Sequence, residues 1–160
     1  MKVAAKRSAG LLLVRASAEG LEVLLVHPGG PFFRNKDAGA WSIPKGLIEA
    51  AEEPLDTAKR ELVEETGFTL PAGPYLSIGE IRQKGGKEVV AWAVRGEADP
   101  AALVSNTFEI QWPPRSGRMQ SFPEVDRAGW FARPAAEEKM NPAQHPFLDR
   151  AAALRDALGL

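Results

Sequence analysis

The stretch from Pro54 to Gly67 limits what this chain can fold into more than any other. Pro54 stands where a helix tolerates a missing N–H, and Gly67 where a helix ends on a left-handed residue. Between them Leu55, Ala58 and Leu62 recur at steps of three and four, an apolar stripe that has to be buried. Glu61, Glu64 and Glu65 lie on the same helix, within an arc of about 100° and well away from that stripe. The stripe calls for a sheet. The carboxylates call for something else, because like charges about 5 Å apart repel by roughly 3 kcal/mol at an effective dielectric of 20. Arg60, four residues before Glu64, is the only local relief. Such a cluster is either a solvated acidic face or a cation site. Hard oxygen donors, in a chain with no cysteine and no adjacent histidine, suit Mg²⁺ or Mn²⁺ rather than zinc.

Charge is concentrated in the same place. Seven acids and two bases fall between Gly46 and Phe68, whereas the rest of the chain carries a net +4. The total of −1 leaves no protein-wide footprint for nucleic acid. At 160 residues and 44% hydrophobic, one domain over residues 1–160 with a sizeable core is expected. The apolar run Ala9 to Val14 is too short for a leader or a membrane span, so a cytoplasmic location without membrane contact is expected. That run and Val23–Val26, with Glu19-Gly20 between them, predict paired strands. Pro28 to Ala40 predicts a loop, Trp41 to Pro44 a short strand and Lys45-Gly46 another loop. Gly79–Gln83 and Glu88–Arg95 flank Lys84-Gly85-Gly86-Lys87, a hairpin signal. Phe108, Ile110 and Trp112 alternate with polar residues as in a half-buried strand, and Pro113 to Pro123 predicts a loop. Ala128–Phe131 predicts a last strand. Phe147, Ala151, Leu154 and Leu158 predict a closing helix stopped by Gly159. Strands on either side of a central helix, with a helix at the end, give an α/β fold whose sheet is covered on both faces.

A longer pattern contains the carboxylates: Gly46, five residues, Glu52, seven residues, Arg60-Glu61-Leu62, one residue, Glu64-Glu65, one residue, Gly67-Phe68. It resembles the complete Nudix box, the signature of the Nudix hydrolase superfamily. At about 7% usage per residue type, its seven fixed polar and glycine positions would coincide by chance in about one in 10⁶ chains of this length. The resemblance implies a Nudix-type α/β/α sandwich with a mixed β-sheet. It implies Glu61, Glu64 and Glu65 as metal-binding carboxylates, the Gly46 carbonyl as a backbone ligand, and Glu52 with Arg60 as an internal ion pair. The loop departs from the pattern, with Ala50-Ala51 where a glycine is usual and Glu53 at the helix cap. The reaction implied is attack of water on a phosphoanhydride of a nucleoside diphosphate derivative. A bound metal ion would neutralise the anionic oxygens and a carboxylate would take the proton. Glu64 is one candidate for that base. Glu124 is the other: it stands six residues before Trp130-Phe131, as a glutamate does before Trp-Leu in dinucleoside polyphosphate hydrolases. Glu109 competes with it, on a strand position as suited to solvent.

Trp41-Ser42-Ile43-Pro44-Lys45-Gly46 resembles the approach to the box in Nudix enzymes of dinucleoside polyphosphates or diphosphoinositols. Lys45 is either a phosphate contact or a solvated lysine. Arg82, Lys84 and Lys87 form a basic hairpin tip that grips polyphosphate or merely protects a sheet edge. Phe32, Phe33, Trp112 and Phe122 are available for base stacking or for packing, and Pro28-Gly29-Gly30-Pro31 reads as a plain turn. His27 and His145 are lone histidines with structural roles. The segment Ser105 to Ser121, with Arg115 and Arg118, reads as a lid over substrate. The partner expected is a small-molecule nucleotide, with no stable nucleic acid complex, and the chain a monomer or homodimer. Dinucleoside polyphosphates are the leading substrates. A triphosphate pyrophosphohydrolase, removal of pyrophosphate from RNA 5′ ends and a nucleotide-binding module that cuts nothing are the rivals.

Overall fold

Leu11, Leu12, Leu13 and Val14 are all completely buried, and that single fact sets the architecture. A strand alternates its side chains between two faces, so an unbroken buried run needs cover on both. In the computed structural model, which describes residues 6–18 and 20–160, this run is the centre of β1 (Arg7–Ser17). Strand β2 (Gly20–Pro28) returns antiparallel to it; Glu19, half of the expected turn, lies outside the described residues. The other strands of the main sheet are β3 (Lys45–Leu47), β4 (Leu76–Arg82), β5 (Glu88–Arg95) and β8 (Val125–Ala132). Their order is β4-β5-β1-β2-β8, with β3 beside β1, and the β1–β5 pair is parallel while the others are antiparallel.

Helix α1 (Pro54–Thr66) covers one face, burying Ala58 and Leu62 against Ala9, Leu11, Leu13 and Leu24. On the other face α2 (Arg133–Lys139) and α3 (His145–Ala153) bury Ala136, Phe147, Leu148 and Ala151 against Leu12, Val14 and Leu25. This is the α/β/α sandwich with a mixed sheet. Among the described residues, no helix is long and apolar enough to cross a membrane.

Several local expectations need correction. Trp41 and Ser42 make single bridges, to Met140 and Val26, and the strand begins instead at Lys45. Pro44 explains the shift: it has no N–H to give a ladder and offers only its carbonyl, which accepts the Leu11 N–H at 3.2 Å. The segment 113–123 is not all loop, because Met119–Pro123 (β7) pairs with Thr107–Gln111 (β6) as a separate two-stranded arm. Phe108 and Ile110 do alternate half-buried along β6, whereas Trp112 lies just past its end. The closing helix stops at Ala153, and Leu154 and Leu158 pack from the turns that follow.

One topological detail prepares the functional site. β2 pairs with β1 only at the far end of β1, from Val14 to Ser17, while β3 takes the near end, from Ser8 to Gly10. The two neighbours of β1 diverge, and the chain from Trp41 to Pro44 enters the gap between them.

Candidate active site

Three segments meet at the near end of the sheet: β3, the C-terminal half of α1 and the start of β8. A cleft of about 340 Å³ between them is walled by Lys45, Gly46, Glu49, Glu61, Glu64, Glu65, Asn106 and Glu124. A second cavity of about 330 Å³ opens beside it where β2 leaves β1, walled by Val26, Phe33, Ile43, Gln83, Asn141 and Gln144 among others. Lys45, Glu65 and Glu124 belong to both walls.

The loop before α1 fixes the carboxylates through one arginine. The Arg60 guanidinium donates from Nε to Glu52 Oε2 at 2.8 Å and from Nη2 to Glu52 Oε1 at 3.0 Å, a two-pronged pair. The Thr57 hydroxyl adds a bond to Glu52 Oε1 at 2.7 Å. Together, Arg60 first, they hold the Glu52 carboxyl down from 4.5 to about 2. Nη1 of the same arginine reaches Glu61 and Glu64, each at 3.0 Å. The departures in the loop have visible consequences. Ala51 sits at φ 65°, the left-handed region where a glycine would be unstrained, and the Glu53 side chain makes no cap bond to α1.

Glycine at position 46 is a steric requirement, since a Cβ there would overlap the Glu61 carboxylate. That contact brings β3 against α1 and leaves Glu61 half-buried. Burial pushes the Glu61 carboxyl up, against the pull of Arg60. Glu65 accepts the Lys45 backbone N–H at 3.3 Å; burial first, and then the charge of Glu61, push it up to about 8. The Lys45 ammonium moves the other way, lowered by its own burial while Glu65 pulls it back up.

Glu124 reaches this cleft by a relay of backbone bonds. The Asn106 N–H donates to the Glu64 carbonyl at the end of α1 at 2.8 Å, and the Glu124 N–H donates to the Asn106 carbonyl at 2.9 Å. From the opposite side the Gly29 N–H donates to the Glu124 carbonyl at 2.9 Å. Gly29 has no room for a Cβ, which would strike the Pro123 carbonyl. Glu124 is close enough that its charge raises both Glu61 and Glu65.

Glu61, Glu64, Glu65, Gly46, Lys45 and Glu124 thus share one cleft, and Glu52 with Arg60 braces it from behind. Other expected residues lie elsewhere. Arg82 is exposed and bound to Glu88 across the hairpin at 3.1 Å, and Lys84 is exposed at the tip. Neither lines either of these two cavities; the residue between them, Gln83, does, because successive side chains along an extended chain face opposite ways. Lys87 is near enough for its charge to bear on Lys45. Glu109, Arg115 and Arg118 are exposed on the arm and line neither cavity. Phe32 meets Trp112 edge-on at 5.5 Å and Phe122 lies beside Phe108, which leaves Phe33 as the aromatic in the cavity. His27 is not alone: it is bonded to Asp126, a pairing of residues far apart in sequence that no spacing announces. Asn106, Gln83 and Gln144 were likewise invisible, each being an ordinary polar residue until the fold places it.

The donor set fits a hard divalent cation. Glu61, Glu64, Glu65 and the Gly46 carbonyl are all oxygens, and a carbonyl has two lone pairs, so pairing with β1 does not exhaust it. Among the described residues no three acidic or histidine side chains form a ready-made cage, and Arg60 supplies the countercharge to Glu61 and Glu64.

Comparison with known proteins agrees with this fold. A family model described as NUDIX domain matches residues 5–151. An octanoyltransferase of Myxococcus xanthus is 32% identical over 135 residues, which is 84% of this chain and 33% of that protein. An RNA pyrophosphohydrolase of Bartonella bacilliformis is 61% identical over 28 residues, 18% of this chain and 16% of it. The chain therefore spans about a third or less of these curated relatives. Among solved structures, a C. elegans Ap4A hydrolase binary complex aligns with TM-score 0.65 and 19% identity over 94% of this chain and 98% of that one. The NUDIX domain of Shewanella oneidensis NrtR, complexed with ADP ribose, aligns with TM-score 0.63 and 20% identity over 98% and 90%. At these identities the likeness is one of fold.

Proposed function

The chain belongs to the Nudix family, whose hydrolases act on phosphoanhydride bonds, and on that premise we propose that it is a Mg²⁺-dependent pyrophosphohydrolase of dinucleoside polyphosphates. The observation that carries the reading is the shared wall of the two cavities: Lys45, Glu65 and Glu124 stand between an acidic cleft and an aromatic-edged pocket. A polyphosphate chain in the first with its nucleoside in the second would pass directly over them.

Glu61, Glu65, Glu64 and the Gly46 carbonyl would hold the cation, Mn²⁺ being the alternative to Mg²⁺. When bound, it supplies charge neutralisation of the phosphate oxygens and a lowered pKa for water. The chain's own residues do the rest. Glu52 and Arg60 keep the loop on the helix so that Gly46 and Glu61 stay in register. Lys45 faces the polyphosphate as a fixed positive charge. Glu124, held by backbone on both sides, takes the proton from the attacking water; Glu64 is less suited to that task because Arg60 already engages it. The Trp41 to Gly46 approach supports dinucleoside polyphosphates over triphosphates. The short, close match to an RNA pyrophosphohydrolase supports a second substrate, 5′-triphosphorylated RNA.

A product-resolved screen with and without Mg²⁺ tests all of this. Diadenosine tetraphosphate, the eight common nucleoside triphosphates and a triphosphorylated oligoribonucleotide are the substrates, and ¹⁸O-labelled water marks the phosphorus attacked. Metal-dependent cleavage of the first is expected. Pyrophosphate release from triphosphates alone would move the substrate class, and binding without cleavage would leave a non-catalytic module.

A further inference from the structure

We propose that His27, acting through Asp126, is the positioning residue that aims Glu124 into the cleft; the proposal rests on Glu124 being the base. His27 is completely buried, with its ring edge-on to Trp41 at 5.3 Å. Its Nδ1 lies 2.7 Å from Asp126 Oδ1 and its Nε2 lies 2.6 Å from the Lys36 carbonyl. A carbonyl only accepts, so Nε2 carries a hydrogen; a carboxylate also accepts, so the ring donates on both sides or shares the second proton with Asp126. Among the described residues, the other charged group on that carboxylate is Arg127, at 3.6 Å.

The ladder shows why this pair matters. β2 and β8 slip register here: His27 faces Arg127, but Pro28 faces Val125, so Asp126 is an extra residue bulged out of the pairing. A bulge bends its strand and re-aims the residues beside it. Glu124 lies two residues before the bulge; the His27–Asp126 bond ties the bend to β2, while Ser105 Oγ accepts the Val125 N–H at 3.0 Å beside it. The other end of the imidazole holds the Lys36 carbonyl, in the loop that carries Phe33 to the cavity wall. A space-filling role alone would be met by an apolar side chain of similar size, without burying a polar ring.

Asp126 is partly exposed, so its variants should fold, and thermal melts verify this. On the best substrate of the screen, Asp126→Ala is expected to lower kcat about tenfold with KM within about twofold, as for a displaced catalytic group. Mn²⁺ affinity, read by titration without substrate, is expected to stay unchanged. Asp126→Asn, which still accepts from Nδ1, should recover most of kcat, and His27→Gln should behave like Asp126→Ala. In a Glu124→Gln background Asp126→Ala should add almost nothing. Equal losses in both backgrounds, wild-type kcat for Asp126→Ala, or Asn as poor as Ala would overturn the positioning role. Normal kcat for Glu124→Gln alone would instead remove Glu124 as the base, and the inference with it.

Discussion

Two groups of carboxylates lie within a few turns of each other and are treated in opposite ways. Glu52 has Arg60 on both oxygens and Thr57 beside it, and its carboxyl is held down to about 2. Glu65 has burial, a neighbouring Glu61 and a backbone N–H, and it is pushed up to about 8. The first group is electrostatically complete within the chain. The second keeps a buried carboxyl whose hydrogen bond comes from a backbone N–H rather than from a guanidinium. The contrast separates the acid that braces the loop from the acids that line the cleft.

The contrast is broken most forcefully by Glu65→Gln. Hydrolysis is expected to fall at least a hundredfold, about 3 kcal/mol of transition-state stabilisation, while the melting temperature holds or rises; steady-state rates and calorimetry check both. Retained activity would put Glu65 with Glu52 as a structural acid. A pH series on metal-free protein sharpens the same point. With its folded value above its ordinary 4.5, Glu65 contributes stability that is complete below about 4.5 and lost as pH rises through about 8. Melting temperature should therefore fall toward alkaline pH, and Glu65→Gln or added Mg²⁺ should flatten that limb. Glu52 has the opposite sign. Its folded value lies below 4.5, so its contribution is present above 4.5 and lost as pH falls toward 2, and Glu52→Gln should flatten the acid limb alone. The smallest effect concerns the loop that joins the two groups. Ala51→Gly should stabilise by about 1 kcal/mol in urea unfolding, because it relieves a left-handed alanine; a loss would mean that the entropy of the added glycine outweighs that strain.

Much of this molecule was legible before folding. α1, its apolar stripe and its three carboxylates are local, set by periodicity, a proline and a glycine, and the helix runs where that pattern puts it. The parallel neighbour of β1 was not legible, since nothing in Glu88–Arg95 says which strand it will join. α2 escaped because one buried residue, Ala136, makes no period. β6 was legible in its alternation, whereas β7 was read as loop on the turn residues before it, although Met119 to Pro123 pair regularly. The cleft itself was half visible. Glu61, Glu64 and Glu65 announce themselves by spacing, whereas His27 and Asp126 are joined only by tertiary structure, as are Gln83 and Gln144.

The relay that seats Glu124 has an evolutionary corollary. Its anchors, Asn106 on the tail of α1 and Gly29 after β2, lie outside the arm that departs at Thr107 and returns at Pro123. That excursion is free to lengthen, shrink or change composition while Glu124 keeps its place beside Glu61 and Glu65. Descendants of this scaffold are therefore able to remodel the arm while the cleft keeps its walls.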